Sequence, residues 1–139
     1  MKILAGFDDS NVSKEVLLAA IDQARAFDAR LFVVTVMQPS AGLVQDEKAD
    51  AEEGTRIEDA QRRLEKVKDI LKQKNISHET HLLMRGHDPA HDLLHFAAEN
   101  EVNLIVIGVR RRSKVGKLLF GSTAQQVILK APCPVLTVK

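Results

Sequence analysis

Short, continuous apolar runs alternate along the chain with longer segments in which apolar residues recur every three or four positions. Continuous runs of Val, Ile, Leu and Phe are typical of strands that are buried on both faces of a parallel sheet. They predict five strands, over residues 2–7, 30–37, 78–83, 103–109 and 134–138. The periodic segments predict four amphipathic helices, which begin near residues 11, 50, 89 and 122.

Polar residues and prolines mark several of the predicted boundaries. Ser10 or Asn11 can cap the first helix, and Asp88 followed by Pro89 is a favoured start for the third. Asn75 can end the second helix. Residues 39–49 contain Pro, Ser and Gly without a clear period, and we interpret them as a loop.

Strands that alternate with helices at this spacing predict one parallel sheet with helices on both of its faces. In such open sheets, ligands bind beyond the carboxyl ends of the strands, where the strand order reverses. Asp8 follows the first predicted strand, Val36 lies at the end of the second, and Gly108 lies at the end of the fourth. If the first and fourth strands are neighbours, these three residues face one cleft.

The segment from Gly108 to Thr123 carries the clearest candidate chemistry. It follows a buried strand, carries five cationic residues between two glycines, and ends in Gly-Ser-Thr before a helix. Glycines permit close backbone approach, cations supply charge, and free amides at a helix start bind anions, so the segment predicts a polyphosphate site. The alternative is a solvated basic loop followed by a tight turn and a good helix cap. The candidate residues are Gly108, Arg110, Arg111, Lys114, Gly121, Ser122 and Thr123.

The composition limits the classes of function that remain. The 139 residues are 45% hydrophobic with a formal net charge of +1, which predicts one globular domain over residues 1–139 and gives no reason to expect nucleic-acid binding. The start of the chain does not resemble a signal peptide, and no apolar run reaches the ~20 residues of a membrane helix. We therefore expect a cytoplasmic protein without membrane insertion. Cys133 has no second cysteine to pair with, and we interpret it as a packing thiol.

Other possible sites are weaker. His91 and His95 would lie one helical turn apart and could form half of a zinc site, but we interpret them as a solvated pair on the polar face. Asp8 and Asp9 could ligate a Mg²⁺ ion that is bound to phosphates, or could serve as a turn and cap. Neither a catalytic triad nor the lysine of a Gly-x4-Gly-Lys-Ser/Thr loop is evident, so a dedicated enzyme is not expected.

Three segments together resemble the universal stress protein family, and the resemblance covers the whole chain. They are Ile3-Leu-Ala-Gly-Phe-Asp-Asp-Ser10, Arg85-Gly-His-Asp-Pro-Ala90, and the C-terminal part from Leu104 through Ala131-Pro-Cys-Pro-Val135. The ATP-binding branch of that family carries Gly-x2-Gly-x9-Gly-Ser/Thr. Gly108, Gly121 and Ser122 match this spacing, whereas Arg111 occupies the place of the second glycine.

The resemblance implies a Rossmann-like open sheet of five parallel strands in the order 3-2-1-4-5, with helices on both faces. It also implies a homodimer that pairs through the fifth strand, which begins at Pro134 and ends at Val138. ATP, with or without Mg²⁺, would bind between the first and fourth strands, and the protein would regulate an unknown partner in a stress response. A scaffold that binds no nucleotide and a slow ATP hydrolase or phosphotransferase are the alternatives.

The same resemblance implies a role for each site residue. Gly6 would line the base pocket, Asp8 would contact adenine or ribose, and the main chain of Val36 would hydrogen-bond adenine. Gly108 would lie beside the ribose and phosphates, and Gly121, Ser122 and Thr123 would receive the phosphates. Arg111 would either grip the phosphates with its guanidinium or block the pocket, and Arg110 and Lys114 would screen charge.

Overall fold

The computed structural model describes residues 1–39, 47–109 and 121–139, and its sheet confirms the predicted fold class. All five strands pair in parallel, in the order β3-β2-β1-β4-β5, so the strand order reverses between β1 and β4. Their bounds are β1 Lys2–Gly6, β2 Arg30–Val36, β3 His78–Leu83, β4 Leu104–Gly108 and β5 Val135–Val138. Each prediction lies within two residues of the observed strand.

In the described part of the chain, four helices connect the strands and cover both faces of the sheet. Their bounds are α1 Ser13–Phe27, α2 Glu47–Gln73, α3 Pro89–Glu99 and α4 Ser122–Lys130. The second helix begins at Glu47, which corrects the predicted loop over 39–49 at its last three residues; residues 40–46 lie outside the described part. Among the described helices, none is long and apolar enough to cross a membrane.

The alternation of side chains along each strand divides the core into two layers. In β1, Ile3 and Ala5 pack under α1 and α2, whereas Leu4 packs under α3 and α4. The same alternation separates Val33 from Phe32 in β2. Because every inner strand is buried on both faces, its sequence is a continuous apolar run rather than an alternating pattern.

The predicted cap of α1 is wrong. The N-cap is Val12, and neither Ser10 nor Asn11 caps the helix, since Ser10 lies in a turn that is closed by the Ser13 N–H donating to its carbonyl oxygen (3.3 Å). Asp88 does occupy the N-cap of α3, although its side chain makes no capping hydrogen bond. Asn75 follows the end of α2 in a left-handed conformation (φ 55°), as expected of an asparagine at that place.

Cys133 packs against the layer under α3 and α4. Burial raises the pKa of its thiol above the ordinary value, and this outweighs a backbone hydrogen bond with Ile105. A raised pKa disfavours the reactive thiolate, which agrees with the interpretation of Cys133 as a packing residue.

Candidate functional site

A cleft of about 270 Å³ opens where β1 and β4 end. This is the reversal point of the sheet, the place where open α/β sheets hold their ligands. The cleft brings together residues that are far apart in the sequence, because parallel strands end at the same edge. The predicted site residues that line it are Gly6, Asp8, Val36, Gly108, Gly121, Ser122 and Thr123.

Three of the predicted residues are not placed. Arg110, Arg111 and Lys114 lie outside the described residues, so their relation to the cleft stays a prediction. Among the described lining residues, the ionisable side chains are Asp8 and Asp9.

The turn after β1 is held by hydrogen bonds around Asp8. The backbone N–H of Ser10 donates to Asp8 Oδ1 (2.8 Å), which is the aspartate turn that this residue type favours. Ser13 Oγ lies 2.6 Å from the carbonyl oxygen of Asp8 and 2.8 Å from Oδ1, and it accepts the Asp8 N–H at 3.2 Å. The carboxylate is therefore oriented before any ligand arrives.

Ser13 is the residue of this turn that the sequence did not indicate. It is buried (6% exposed) and is the first residue of α1, so its hydroxyl connects the helix start to the end of β1. A serine five positions after an aspartate is too common a pattern to have identified it.

The opposite side of the cleft is the start of α4. Its N-cap is Gly121 in an extended conformation (φ −62°, ψ 153°), and Gly121 has no side chain that could cap the helix. The N–H of Gln125 donates to the Gly121 carbonyl oxygen (3.0 Å) as the first bond of the helix. The amides of residues 122 to 124 precede this bond and have no intrahelical acceptor. They lie at the positive end of the helix dipole, which favours an anion.

Glycine at position 108 is required by packing against α1. A Cβ built there would lie 2.5 Å from Val12 Cγ2 and 3.3 Å from Val16 Cγ2. At Gly6, a Cβ would lie 3.2 Å from Ile107 Cγ2, which is tight but less severe. Gly108 thus lets the start of α1 approach β4 closely, and Gly6 lets β1 and β4 approach each other, roles that need no ligand.

The end of β2 directs the backbone of Val36 toward the cleft. The Phe7 N–H donates to the Val34 carbonyl oxygen (2.9 Å), whereas the Met37 N–H donates across the other side of β2 to Leu83 (2.8 Å). Because alternate residues of a strand face opposite neighbours, Val36 faces the β1 side. There Thr35 Oγ1 donates to the Phe7 carbonyl oxygen (2.7 Å). In regular parallel pairing, the Val36 N–H would donate to that carbonyl oxygen instead.

A second cleft of about 320 Å³ adjoins the first at Asp8, Asp9, Val36 and Pro89. Its far wall is α2, which contributes Arg56, Asp59 and Arg63. The sequence pattern did not indicate these arginines, because on a long polar helix they look like any other solvated cations. Further lining residues of the first cleft that were not predicted include Phe7, Val12, Val34, Leu93 and Ile107.

A doubly wound parallel sheet with a glycine-lined cleft at its reversal defines the α/β class whose ligand sites lie at that reversal. The family model described as the universal stress protein family matches residues 1–139. The chain therefore belongs to the universal stress protein family.

Individual relatives agree with this assignment. A universal stress protein of Methanocaldococcus jannaschii is 33% identical over 140 residues, which span 99% of this chain and 81% of the relative. The solved structure of a universal stress protein from Archaeoglobus fulgidus has a TM-score of 0.80 at 37% identity, covering 100% of this chain and 98% of its own. The universal stress protein from Archaeoglobus fulgidus in complex with dAMP has a TM-score of 0.75 at 34% identity, with the same coverage.

Proposed function

We propose that this protein is a regulatory stress-response module of the cytoplasm that binds ATP, with or without Mg²⁺, in the cleft between β1 and β4. One observation carries the proposal: an oriented carboxylate at Asp8 and the start of α4, whose N-cap is a glycine, line the same cleft. These two features suit the two ends of a nucleotide, since the carboxylate can accept hydrogen bonds from a ribose and the helix start favours phosphate. The dAMP complex of the Archaeoglobus fulgidus relative supports an adenine nucleotide.

Each remaining site residue has a place in this proposal. Val36 offers its backbone to the adenine edge, Gly6 lines the base pocket, and Gly108 lies beside the ribose and phosphates. Ser122 and Thr123 donate hydroxyl and amide hydrogens to phosphate. Arg110, Arg111 and Lys114 are proposed to neutralise the triphosphate, a role that a planar guanidinium fills with two parallel hydrogen bonds.

Magnesium would be held by Asp8 or Asp9 together with the phosphates. Mg²⁺ prefers oxygen ligands, keeps several waters and usually takes one or two carboxylates from the protein. Both aspartates line the cleft, so the donor set fits such an ion. When bound, the ion would neutralise phosphate charge beside two carboxylates that otherwise repel it.

Titration calorimetry with ATP, ADP and AMP, with and without Mg²⁺, tests the proposal. The chain has no Trp or Tyr, so intrinsic fluorescence would report little. We expect saturable binding of one ATP per chain, and no heat at millimolar nucleotide would overturn the proposal. Analysis of the nucleotide after incubation separates a binder, which returns intact ATP, from a slow hydrolase.

The variant Arg111→Gly separates ATP binding from the scaffold alternative. If the guanidinium assists binding, the variant binds ATP more weakly than the wild type. Binding that appears only in Arg111→Gly would show that the arginine blocks the cleft and that the natural protein is a scaffold.

The homodimer is proposed to form through β5. This strand pairs with β4 at the edge of the sheet, and its Val135, Leu136 and Val138 are only half-buried. The carbonyl oxygens of Pro134 and Val138 accept hydrogen bonds from β4, so the alternate residue Thr137 directs its backbone to the open edge. A second copy of β5 would pair with those open groups.

Substitution of Thr137 tests the dimer. Thr137→Pro removes an N–H that faces the open edge but leaves the hydrogen bonds to β4 intact. Thr137→Val retains that N–H and serves as the control. Sedimentation should give a dimer for the wild type and Thr137→Val, and a monomer for Thr137→Pro. A dimer in all three proteins would place the interface elsewhere.

A further inference from the structure

The start of α3 gathers two histidines around a buried carboxylate. Asp92 is 1% exposed, whereas His87 and His91 are exposed. One ligand atom from each of these three side chains can be chosen so that all lie within 4.8 Å of one another. None of the three lines the cleft at the sheet reversal, so this cluster is separate from the proposed nucleotide site.

The carboxylate of Asp92 lacks the partners that burial demands. Neither Oδ1 nor Oδ2 has a hydrogen-bond partner among the described residues. The nearest cation candidate is His87, whose Nδ1 lies 3.3 Å from Oδ1, but that ring is 60% exposed and is a weak substitute for a buried counter-charge. A buried carboxylate without partners is costly, and a bound cation would remove that cost.

The spacing of the donor atoms suits a tetrahedral metal ion. Zinc lies about 2.0–2.2 Å from nitrogen and oxygen ligands, so two ligands at a tetrahedral angle are about 3.3–3.5 Å apart. The His87 Nδ1 and Asp92 Oδ1 atoms are separated by 3.3 Å. The His91 ring centroid lies 4.9 Å from that of His87, and its exposed side chain can rotate to bring a nitrogen nearer.

His95 does not share in the cluster, although the sequence repeats histidine every four residues. Its Nδ1 lies 3.1 Å from Glu99 Oε1 and 3.4 Å from Arg85 Nη1. Its ring stacks on His91 at 6.1 Å. The four-residue spacing suggests that His91 and His95 would share a site. In the structure, His91 instead lies close to His87 and the buried Asp92.

We infer that His87, His91 and Asp92 form a binding site for a first-row divalent metal ion, with zinc as the best match. Two imidazoles and one carboxylate favour zinc or a neighbouring transition metal over Mg²⁺ or Ca²⁺, which prefer oxygen ligands. Three protein ligands leave the fourth position to water on the exposed side.

Calorimetric titration of tag-free, chelator-treated protein with ZnCl₂ tests the site. We expect one ion per chain, with affinity reduced at least tenfold in His87→Ala, His91→Ala and Asp92→Asn. The matched control is His95→Ala, which should bind zinc as the wild type does. Asp92→Asn within twofold of the wild type would overturn the inference, as would equal losses in His95→Ala and His91→Ala.

Thermal unfolding distinguishes a metal ligand from a merely structural aspartate. Zinc should raise the Tm of the wild type and leave that of Asp92→Asn unchanged. Without metal, Asp92→Asn should unfold at the same temperature as the wild type or higher, because it removes a buried charge. If Asp92→Asn lowers the metal-free Tm and zinc still raises it as in the wild type, Asp92 acts only as the ion-pair partner of His87 and the inference fails.

Discussion

The two sides of the cleft differ in how their polar groups are satisfied. On the β1 side, the backbone and carboxylate of Asp8 are bonded to Ser10 and Ser13 within one turn. On the α4 side, the helix starts from Gly121, which has no side chain to cap it. One side is complete without a ligand, and the other presents amides that have no acceptor within the helix. In the proposed nucleotide site, the first side would supply specificity and the second anion affinity.

The largest effect is expected beside the β1 side, where Gly108 packs against the start of α1. Gly108→Ala would place a methyl group 2.5 Å from Val12 Cγ2 and push α1 away from β4. Overpacking of this kind costs about 1–3 kcal/mol of unfolding free energy, which urea denaturation would measure.

Two further variants sharpen that measurement. Val12→Ala in the Gly108→Ala background removes the clashing methyl and should recover part of the loss. Gly54 lies within α2 with open space around it, so Gly54→Ala should instead stabilise by about 0.5–1 kcal/mol. A Gly108→Ala protein as stable as the wild type would show that the helix and strand adjust freely.

Ser13→Ala removes the hydroxyl that holds Asp8 on the β1 side of the cleft. The change leaves the Asp8 N–H and carboxylate without their buried hydroxyl partner and should cost about 1–2 kcal/mol in urea denaturation. Ser10→Ala is the control, since Ser10 contributes its backbone N–H to Asp8 and its hydroxyl only approaches Ser13 at 3.4 Å. Equal losses in the two variants would contradict the role given to Ser13.

Ser122→Asp places a carboxylate at the helix start on the α4 side of the cleft. A carboxylate in the first turn of α4 should stabilise the protein by about 0.3–1 kcal/mol through the helix dipole. The same carboxylate should weaken ATP binding at least tenfold, because it occupies and repels the phosphate position. Gln125→Asp carries the same charge outside the cleft lining and should bind ATP more tightly than Ser122→Asp. Unchanged ATP affinity in Ser122→Asp would show that the phosphates do not bind at the start of α4.

The smallest effect is expected away from both sides, at the β2–β3 edge. Arg30 Nε donates to Glu79 Oε2 (3.0 Å), and this hydrogen bond is the main cause of a lowered Glu79 pKa. Both side chains are over 40% exposed, so Glu79→Gln should cost only about 0.2–1 kcal/mol.

The lowered pKa fixes the sign of the pH dependence at this edge. The stabilisation is present above the ordinary glutamate pKa of about 4.3 and is lost as the pH falls through the lower pKa of the folded state. The stability difference between wild type and Glu79→Gln should therefore shrink over the pH range below about 4.3. A constant difference over that range would mean that the pair contributes nothing through charge.

Apolar periodicity predicted the elements because it reports burial directly. The stripe Ala60, Leu64, Val67 and Leu71 is buried as its spacing requires. Helix starts were harder to predict, because Ser10 and Asn11 are good caps in isolation but the chain uses Ser10 in a turn around Asp8. The burial of Asp92 was not predicted, because an aspartate beside His91 is expected on the polar face of the helix, yet α3 turns it inward.

The order of apolar and polar residues by itself determined a parallel sheet with two helical layers, because strands buried on both faces and amphipathic helices have few other ways to cover their apolar surface. The glycines and the Gly-Ser-Thr segment predicted an anion site, which stays a prediction. Only the tertiary structure decided that the turn after β1 and the start of α4 face one cleft, and that His87 rather than His95 joins His91 at Asp92. Those outcomes depend on strand order and helix rotation, which bring together residues that local sequence pattern does not connect.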